Sequence, residues 1–219
     1  MGRLTAIANL SLFRAKAAIL VVSIAVGSLT GSVPARAETF LSIGSGEMDG
    51  VYYPVAQAIC EVLRRELRKQ GIWCSAETTP GSAYNVDGVQ SGELEFGIVQ
   101  SDVQSAAYRG VGAWGGRAAS DLRSVVSLYP ELVTVIARND AGIHDLADLA
   151  GKRISAGSLG TGTRATWDAL AANLVQDKPK VEELRPSETT SALCGGSIDA
   201  NLLIVGHPSP ECQFPSCLR

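Results

Sequence analysis

Short runs of strand character alternate with amphipathic helical runs from residue 38 onward, and this alternation constrains the fold more than any other feature of the chain. Residues 40–43, 72–77, 95–100, 122–128, 132–137, 153–156 and 200–205 read as strands. Residues 54–69, 82–89, 102–108, 145–149, a segment after Arg164 and 187–194 read as helices. The helix at 54–69 shows the pattern most clearly. Val55, Ile59, Val62 and Leu63 share one face, with Arg64, Arg65, Arg68 and Lys69 outside it. Pro54 suits its first turn, and Ser187 is placed to cap the last helix. Strands alternating with helices imply right-handed crossovers and a largely parallel sheet, hence an α/β fold. Tyr129-Pro130-Glu131 interrupts the pattern, and the change of lobe is placed there, with residues 38–130 in one lobe and 131–208 in the next. The glycine-rich stretch at 110–116 reads as a mobile surface loop.

Residues 1–37 are set aside before any fold argument. Arg3, Arg14 and Lys16 form a basic start, residues 17–29 an apolar core, and Ala35-Arg36-Ala37 a small-x-small site before Glu38. The reading is a secretory signal peptide cleaved after Ala37, and so a periplasmic protein. The competing reading is a membrane anchor, since residues 17–35 carry no charge, but Ser28, Thr30, Gly31, Ser32 and Pro34 dilute its second half. Without this segment the chain holds 15 basic and 22 acidic side chains, a net charge of −7. Such a body repels a phosphate backbone, so nucleic acid is not an expected partner.

Export decides how the five cysteines are read. Cys60, Cys74, Cys194, Cys212 and Cys217 lack the paired short spacings of a zinc site, and an oxidising compartment favours disulfides. Cys60 falls on a helix and Cys74 on the following strand, so a bridge between them pins one to the other. An odd count leaves at least one thiol over, and mispairing of Cys194 with Cys212 or Cys217 is a second expectation.

Three strand-to-helix junctions carry possible chemistry: residues 44–54 with Ser45, Tyr52 and Tyr53, residues 99–102 with Gln100, Ser101 and Asp102, and residues 157–164 with Thr161, Thr163 and Arg164. In parallel sheets these loops gather at the carboxyl edge, where helix N-termini present N–H groups and a positive dipole end to one crevice. In the third junction Gly160 and Gly162 allow close backbone approach, the threonines offer hydroxyls and Arg164 offers a planar cation for a carboxylate. The plainer readings are Thr163 as a helix cap with Arg164 solvated, Ser101-Asp102 as a cap, and the tyrosines as packing. No Walker loop, dinucleotide fingerprint or Gly-x-Ser-x-Gly elbow is present, and His144 and His207 are the only imidazoles. His144 reads as solvated and His207 as a structural hydrogen-bonding group, so catalysis ranks second.

Gly50-Val51-Tyr52-Tyr53-Pro54, Val99-Gln100-Ser101-Asp102, Ser127-Leu128-Tyr129-Pro130-Glu131, Gly160-Thr161-Gly162-Thr163-Arg164-Ala165-Thr166, Ile198-Asp199-Ala200 and Gly206-His207-Pro208 occur in that order. Together they resemble the TAXI family, the extracytoplasmic solute receptors of TRAP transporters, from about residue 38 to 208. The resemblance implies a two-lobed periplasmic binding protein of type II-like α/β fold, without catalysis or cofactor. It implies a small solute, a carboxylate or an amino acid, handed to a TRAP membrane permease. Ser45, Tyr52, Tyr53, Gln100, Ser101 and Asp102 from one lobe and Thr161, Thr163 and Arg164 from the other are the implied ligand set. The Cys60–Cys74 pair matches a helix-to-strand cysteine pair common in part of the family. Where Glu47 and Met48 stand, relatives usually carry Gly or Thr, and the extra acid either repels an anion or engages an ammonium group. Relatives also continue beyond the Gly-His-Pro motif. The second lobe and its return segment are therefore expected to be incomplete, residues 209–219 to be an aberrant tail, and the chain to bind weakly and aggregate. The rivals are a periplasmic enzyme with His207 as base and a solute sensor for a signalling partner.

Overall fold

The computed structural model describes residues 38–174 and 177–209. The signal-peptide reading and the residue 210–219 tail, with Cys212 and Cys217, lie outside the described residues. Two sheets organise the rest. The first holds β1 (Thr39–Gly44), β2 (Ile72–Glu77) and β3 (Phe96–Gly97) in the order β2-β1-β3, all parallel. Three helices connect and follow them: α1 (Tyr52–Leu67), α2 (Ser82–Ser91) and α3 (Ser101–Arg109). The second sheet has the order β4-β7-β5-β6, built from β4 (Leu132–Ala137), β5 (Arg153–Ser155), β6 (Lys180–Glu182) and β7 (Ala200–Val205). Helix α4 (Gly162–Leu174) leads from β5 towards β6, and α5 (Pro186–Cys194) from β6 to β7. This is a mixed α/β architecture.

Burial explains why these runs became these elements. Ala56 and Cys60, one turn apart on α1, are buried with Ile43 and Ile98 under the first sheet. Cys60 and Cys74 are joined by a disulfide with a Cα–Cα distance of 5.0 Å, which ties α1 to β2. Strand β7 is buried on both faces. Ala200 and Leu202 pack with Leu149, Ile154 and Trp167, whereas Leu203 and Val205 pack with Ile136, Leu193 and Ile198. A strand covered on both sides reads as a continuous apolar run, as this one does. Asp199, just before β7, accepts from the Arg153 backbone N–H at 3.0 Å and from its guanidinium at 2.7 and 3.2 Å.

Several expectations change in the structure. Residues 122–128 form no strand, and Val125 and Val126 are exposed, because no neighbouring strand offers them a ladder. The strand expected at 95–100 is confined to Phe96–Gly97, since beyond it the Ile98 carbonyl is taken by the Asn85 side chain instead of a strand. β4 runs antiparallel to β7, so the second sheet is mixed. Only a 3-10 turn, Ala147–Leu149, forms where a helix was expected at 145–149. There the Asp145 and Asp148 carboxylates accept neighbouring backbone N–H groups and close the turn. α5 begins at Pro186, so Ser187 is not its cap, and the Glu188 carboxylate accepts the Arg185 N–H at 2.9 Å. The loop at 110–116 is anchored, with Trp114 buried and its indole N–H donating to Asp87 at 3.0 Å. Strand β6 follows Pro179 and had no sequence signal that the pattern recognised.

A fully buried carboxamide joins the strand ends of the first sheet. The Asn85 Nδ2 donates to Ser45 O and Ile98 O, both at 2.8 Å, and its Oδ1 accepts from the Thr79 hydroxyl at 2.7 Å. Residues beyond β1, β2 and β3 thus converge on one side chain. Gly44 and Gly97 make room for it, because a Cβ at either position would stand 2.5 Å from Asn85 Oδ1 or 2.8 Å from Asn85 Cβ. Asn85→Ala strands two buried carbonyls and is expected to lower the unfolding free energy by roughly 2–4 kcal/mol. An unchanged urea midpoint would count against this account. The disulfide spans 14 residues. Replacing both Cys60 and Cys74 by Ser is expected to cost about 3 kcal/mol, read from the same denaturation curve.

Candidate functional site

The carboxyl ends of both sheets face one cavity of ≈ 130 Å³. Four helices begin at residues that line it, with Tyr52 opening α1, Ser82 α2, Gly162 α4 and Pro186 α5. This is the placement that parallel α/β topology gives to strand-to-helix loops. Ser155, the last residue of β5, and Asn201 of β7 also line it, paired in register and both buried.

Contacts between elements of the two sheets bound the cavity. The Tyr52 hydroxyl donates to Glu131 Oε2 at 2.9 Å, and the Thr166 hydroxyl donates to the Asp102 carboxylate. Gly160 O accepts the N–H groups of Ala83 and Tyr84 at 3.1 and 3.3 Å, so a carbonyl from the second sheet's loop caps the start of α2. Gly162 lies against Gln100 so closely that an added Cβ would stand 1.5 Å from its Oε1 and 2.6 Å from Ser82 Oγ. Any side chain at that crossing would have to displace the Gln100 carboxamide and the Ser82 hydroxyl. Gly157, with φ of 75°, makes the turn that brings the loop there.

Burial and charge set the electrostatics. Burial, reinforced by the neighbouring Glu131 carboxylate, holds the Tyr52 phenol far above its ordinary range, so it stays a donor. Burial likewise pushes Glu131 up, against the lowering effect of the Tyr52 hydrogen bond. Glu47 is raised by burial and then by Asp49, while Arg185 opposes the shift.

The structure separates the sequence-derived residues into two groups. Tyr52, Gln100, Thr161 and Thr163 line the cavity. Ser45, Tyr53, Ser101, Asp102 and Arg164 are not among its lining residues. Ser45 is fully buried, and its hydroxyl donates to Glu77 O at 2.6 Å. Tyr53 is half-buried, and Ser101 and Asp102 are exposed on α3. Arg164 is neither solvated nor turned to the cavity. Its Nε donates to Asp168 at 3.0 and 3.2 Å and its Nη1 to Glu183 at 3.3 Å, which engages the cation. The residue that caps α4 is Thr161, whose Oγ1 accepts the Arg164 N–H at 3.1 Å, whereas the Thr163 hydroxyl accepts the Ile204 N–H at 3.2 Å. His207 is exposed and sits 3.0 Å from Thr134 Oγ1, apart from the cavity lining.

Ser82, Glu131, Ser155 and Asn201 were missed as site residues. Asn201 did leave a signal, because it is a polar residue inside an otherwise apolar strand, and buried polar groups call for a partner. Glu131 stood in the Tyr-Pro-Glu interruption without a role.

Comparison with known proteins adds the following. The sequence profile of the NMT1-like family matches residues 43–213. An amino acid ABC transporter substrate-binding protein, AbpA from Streptococcus pneumoniae bound to L-arginine, superposes with a TM-score of 0.51 at 16% identity, over 75% of this chain and 67% of that one. A putative L-cystine ABC transporter protein from Listeria monocytogenes gives 0.50 at 14%, over 75% and 68%. The alkanesulfonate-binding protein SsuA from Xanthomonas axonopodis pv. citri, bound to MOPS, gives 0.48 at 20%, over 76% of this chain but 55% of that chain. The chain therefore spans about half the length of that protein. At these identities the structural likeness speaks to the fold, that of periplasmic solute-binding proteins, while the sequence match covers most of the chain: this protein belongs to the NMT1-like family.

Proposed function

We propose that this protein is an exported, periplasmic receptor that captures a small solute, a carboxylate or an amino acid, and passes it to a TRAP-type permease in the manner of TAXI receptors. The observation that carries this reading is the cavity where the carboxyl ends of two sheets meet, lined by residues of both and spanned by the Tyr52–Glu131 hydrogen bond. A solute bound there touches residues 38–130 and 131–208 at once, the two proposed lobes. Its binding energy then favours the closed arrangement that a membrane partner recognises. The ordered motifs from Gly50 to Pro208 support the TAXI assignment, although the neighbouring solved structures named above belong to ABC systems.

The receptor reading is preferred over the enzyme with His207 as base, since that ring lies against Thr134 and apart from the cavity. Uptake into proteoliposomes holding the cognate permease discriminates the transport class. Transport driven by an ion gradient supports the proposal, and transport that requires ATP assigns the protein to an ABC system. A solute screen followed by calorimetry tests the site. Gly162→Ala is expected to weaken binding by about three- to tenfold, because the new methyl group displaces the Gln100 and Ser82 side chains that line the cavity. Arg164→Ala is expected to leave affinity within about threefold, since its guanidinium already serves Asp168 and Glu183. A large loss on Arg164→Ala would return that cation to the site.

A further inference from the structure

The charged side chains that line the cavity are of one sign. Glu47 and Glu131 are there, and lysine, arginine and histidine are not among the lining residues. Cations on nearby elements are engaged, Arg164 by Asp168 and Glu183, and Arg185 by Glu188 at 3.1 Å, although Arg185 also acts on Glu47. Several helix-start N–H groups are engaged too. Those of Ala83 and Tyr84 donate to Gly160 O, that of Arg164 to Thr161 Oγ1 and that of Glu188 to Arg185 O. An anion entering here meets two carboxylates of its own sign, and these four N–H groups are already in use.

The cavity floor adds an independent observation. Ser155 is 1% exposed, lines the cavity, and its hydroxyl has no hydrogen-bond partner among the described residues. A buried hydroxyl without a partner is unfavourable unless something else supplies one. Asn201 lies beside it on the adjacent parallel strand, also buried and also lining the cavity. Two buried polar groups, each able to accept or donate, thus face the same space as the carboxylates.

We propose that this cavity selects solutes bearing a protonated amine, with Glu131 and Glu47 as counter-charges and the Ser155 hydroxyl as an acceptor of one ammonium N–H. This inference rests on the receptor reading and narrows its solute class from carboxylate or amino acid to the amine-bearing members. Burial holds both carboxyl groups above their ordinary range, and a cation between the lobes supplies the compensation that favours their charged forms. Size sets a second limit. A cavity of about 150 Å³ accepts benzene, so ≈ 130 Å³ suits a solute of about six non-hydrogen atoms in this arrangement.

The test uses pairs of probes that differ only in the group at issue. Calorimetry of the exported protein at neutral pH compares L-alanine with L-lactate and L-serine with L-glycerate, in each of which ammonium is exchanged for hydroxyl. The amine is expected to bind at least about tenfold more tightly than its hydroxyl partner. Glu131→Gln and Glu47→Gln are each expected to remove about ten- to a hundredfold of amine affinity, and Ser155→Ala about three- to tenfold. Far-ultraviolet circular dichroism and the thermal midpoint check that each variant folds. Should Glu131→Gln fail to fold, because it perturbs the Tyr52 contact, the half-buried Glu47 carries the test. Lactate or succinate binding as tightly as alanine would overturn amine selection and leave the receptor reading intact. Amine affinity unchanged in both glutamine variants would overturn it equally. Failure of every amine and every acid, these probes and a broad solute library alike, would sink both readings.

Discussion

The arrangement of the first sheet depends on one buried carboxamide. Parallel strands end in loops with no hairpin to fix their spacing, so something must hold those ends in register. Asn85 does this from α2, donating to carbonyls beyond β1 and β3 and accepting from Thr79 beyond β2. The Thr79 hydroxyl has a single proton, and the 2.7 Å approach to Asn85 Oδ1 is closer than the 3.1 Å approach to Ser45 O. Every hydrogen-bonding direction of the amide that matters is thereby satisfied in a site without water access. Such a network specifies one geometry, because any slip of a strand leaves a buried polar group without a partner. Ser45, which the sequence suggested as a ligand contact, serves this scaffold with both its hydroxyl and its carbonyl.

What Asn85 fixes, the glycines of the second sheet's loop then approach. Gly160 presents a carbonyl to the start of α2, and Gly162 lets backbone pass against Gln100. The residues that close the cavity are therefore distinguished by what they lack. A side chain at position 162 would have to push the Gln100 and Ser82 side chains aside. The glycines flagged in the sequence for approach to a ligand act in the structure as points where the protein approaches itself.

Much of the fold was legible because it depends on local pattern. β4 and β7 fall where alternation and apolar continuity placed them, and α1 forms as its periodicity indicated, although its buried line runs through Ala56 and Cys60 and leaves Val62, expected on the inner face, exposed. Residues 122–128 failed the same logic, since Val125 and Val126 carry strand propensity but find no partner strand, and propensity does not encode pairing. The site was less legible for a related reason. Asp168, four residues beyond Arg164, was visible as a helical neighbour, but Glu183 comes from the β6 side and completes the clamp only in three dimensions. Asn85 left no sequence signal at all, because its partners are backbone carbonyls that every residue possesses. Asn201 was readable in principle, as the one polar residue of an apolar strand, whereas Ser155 ends a strand that already carries Arg153.

The contacts that join elements of the two sheets are few and individually modest. A phenol on Glu131, a threonine on Asp102 and two backbone bonds to Gly160 are each worth about 0.5–1.5 kcal/mol net, and somewhat more where a carboxylate accepts. Against them stand two raised carboxyl groups whose charged forms are disfavoured by the same burial that closure brings. If the two sets of elements part as a receptor's lobes do, opposing terms of this size leave open and closed arrangements within a few kcal/mol of one another. On the receptor reading, that near balance is what makes a small solute effective. A ligand shifts such an equilibrium only by its differential affinity for the two arrangements, and a solute touching both sheets in one cavity has that difference built in. If its charge also offsets the buried carboxylates, the same contact that binds the solute removes the term opposing closure.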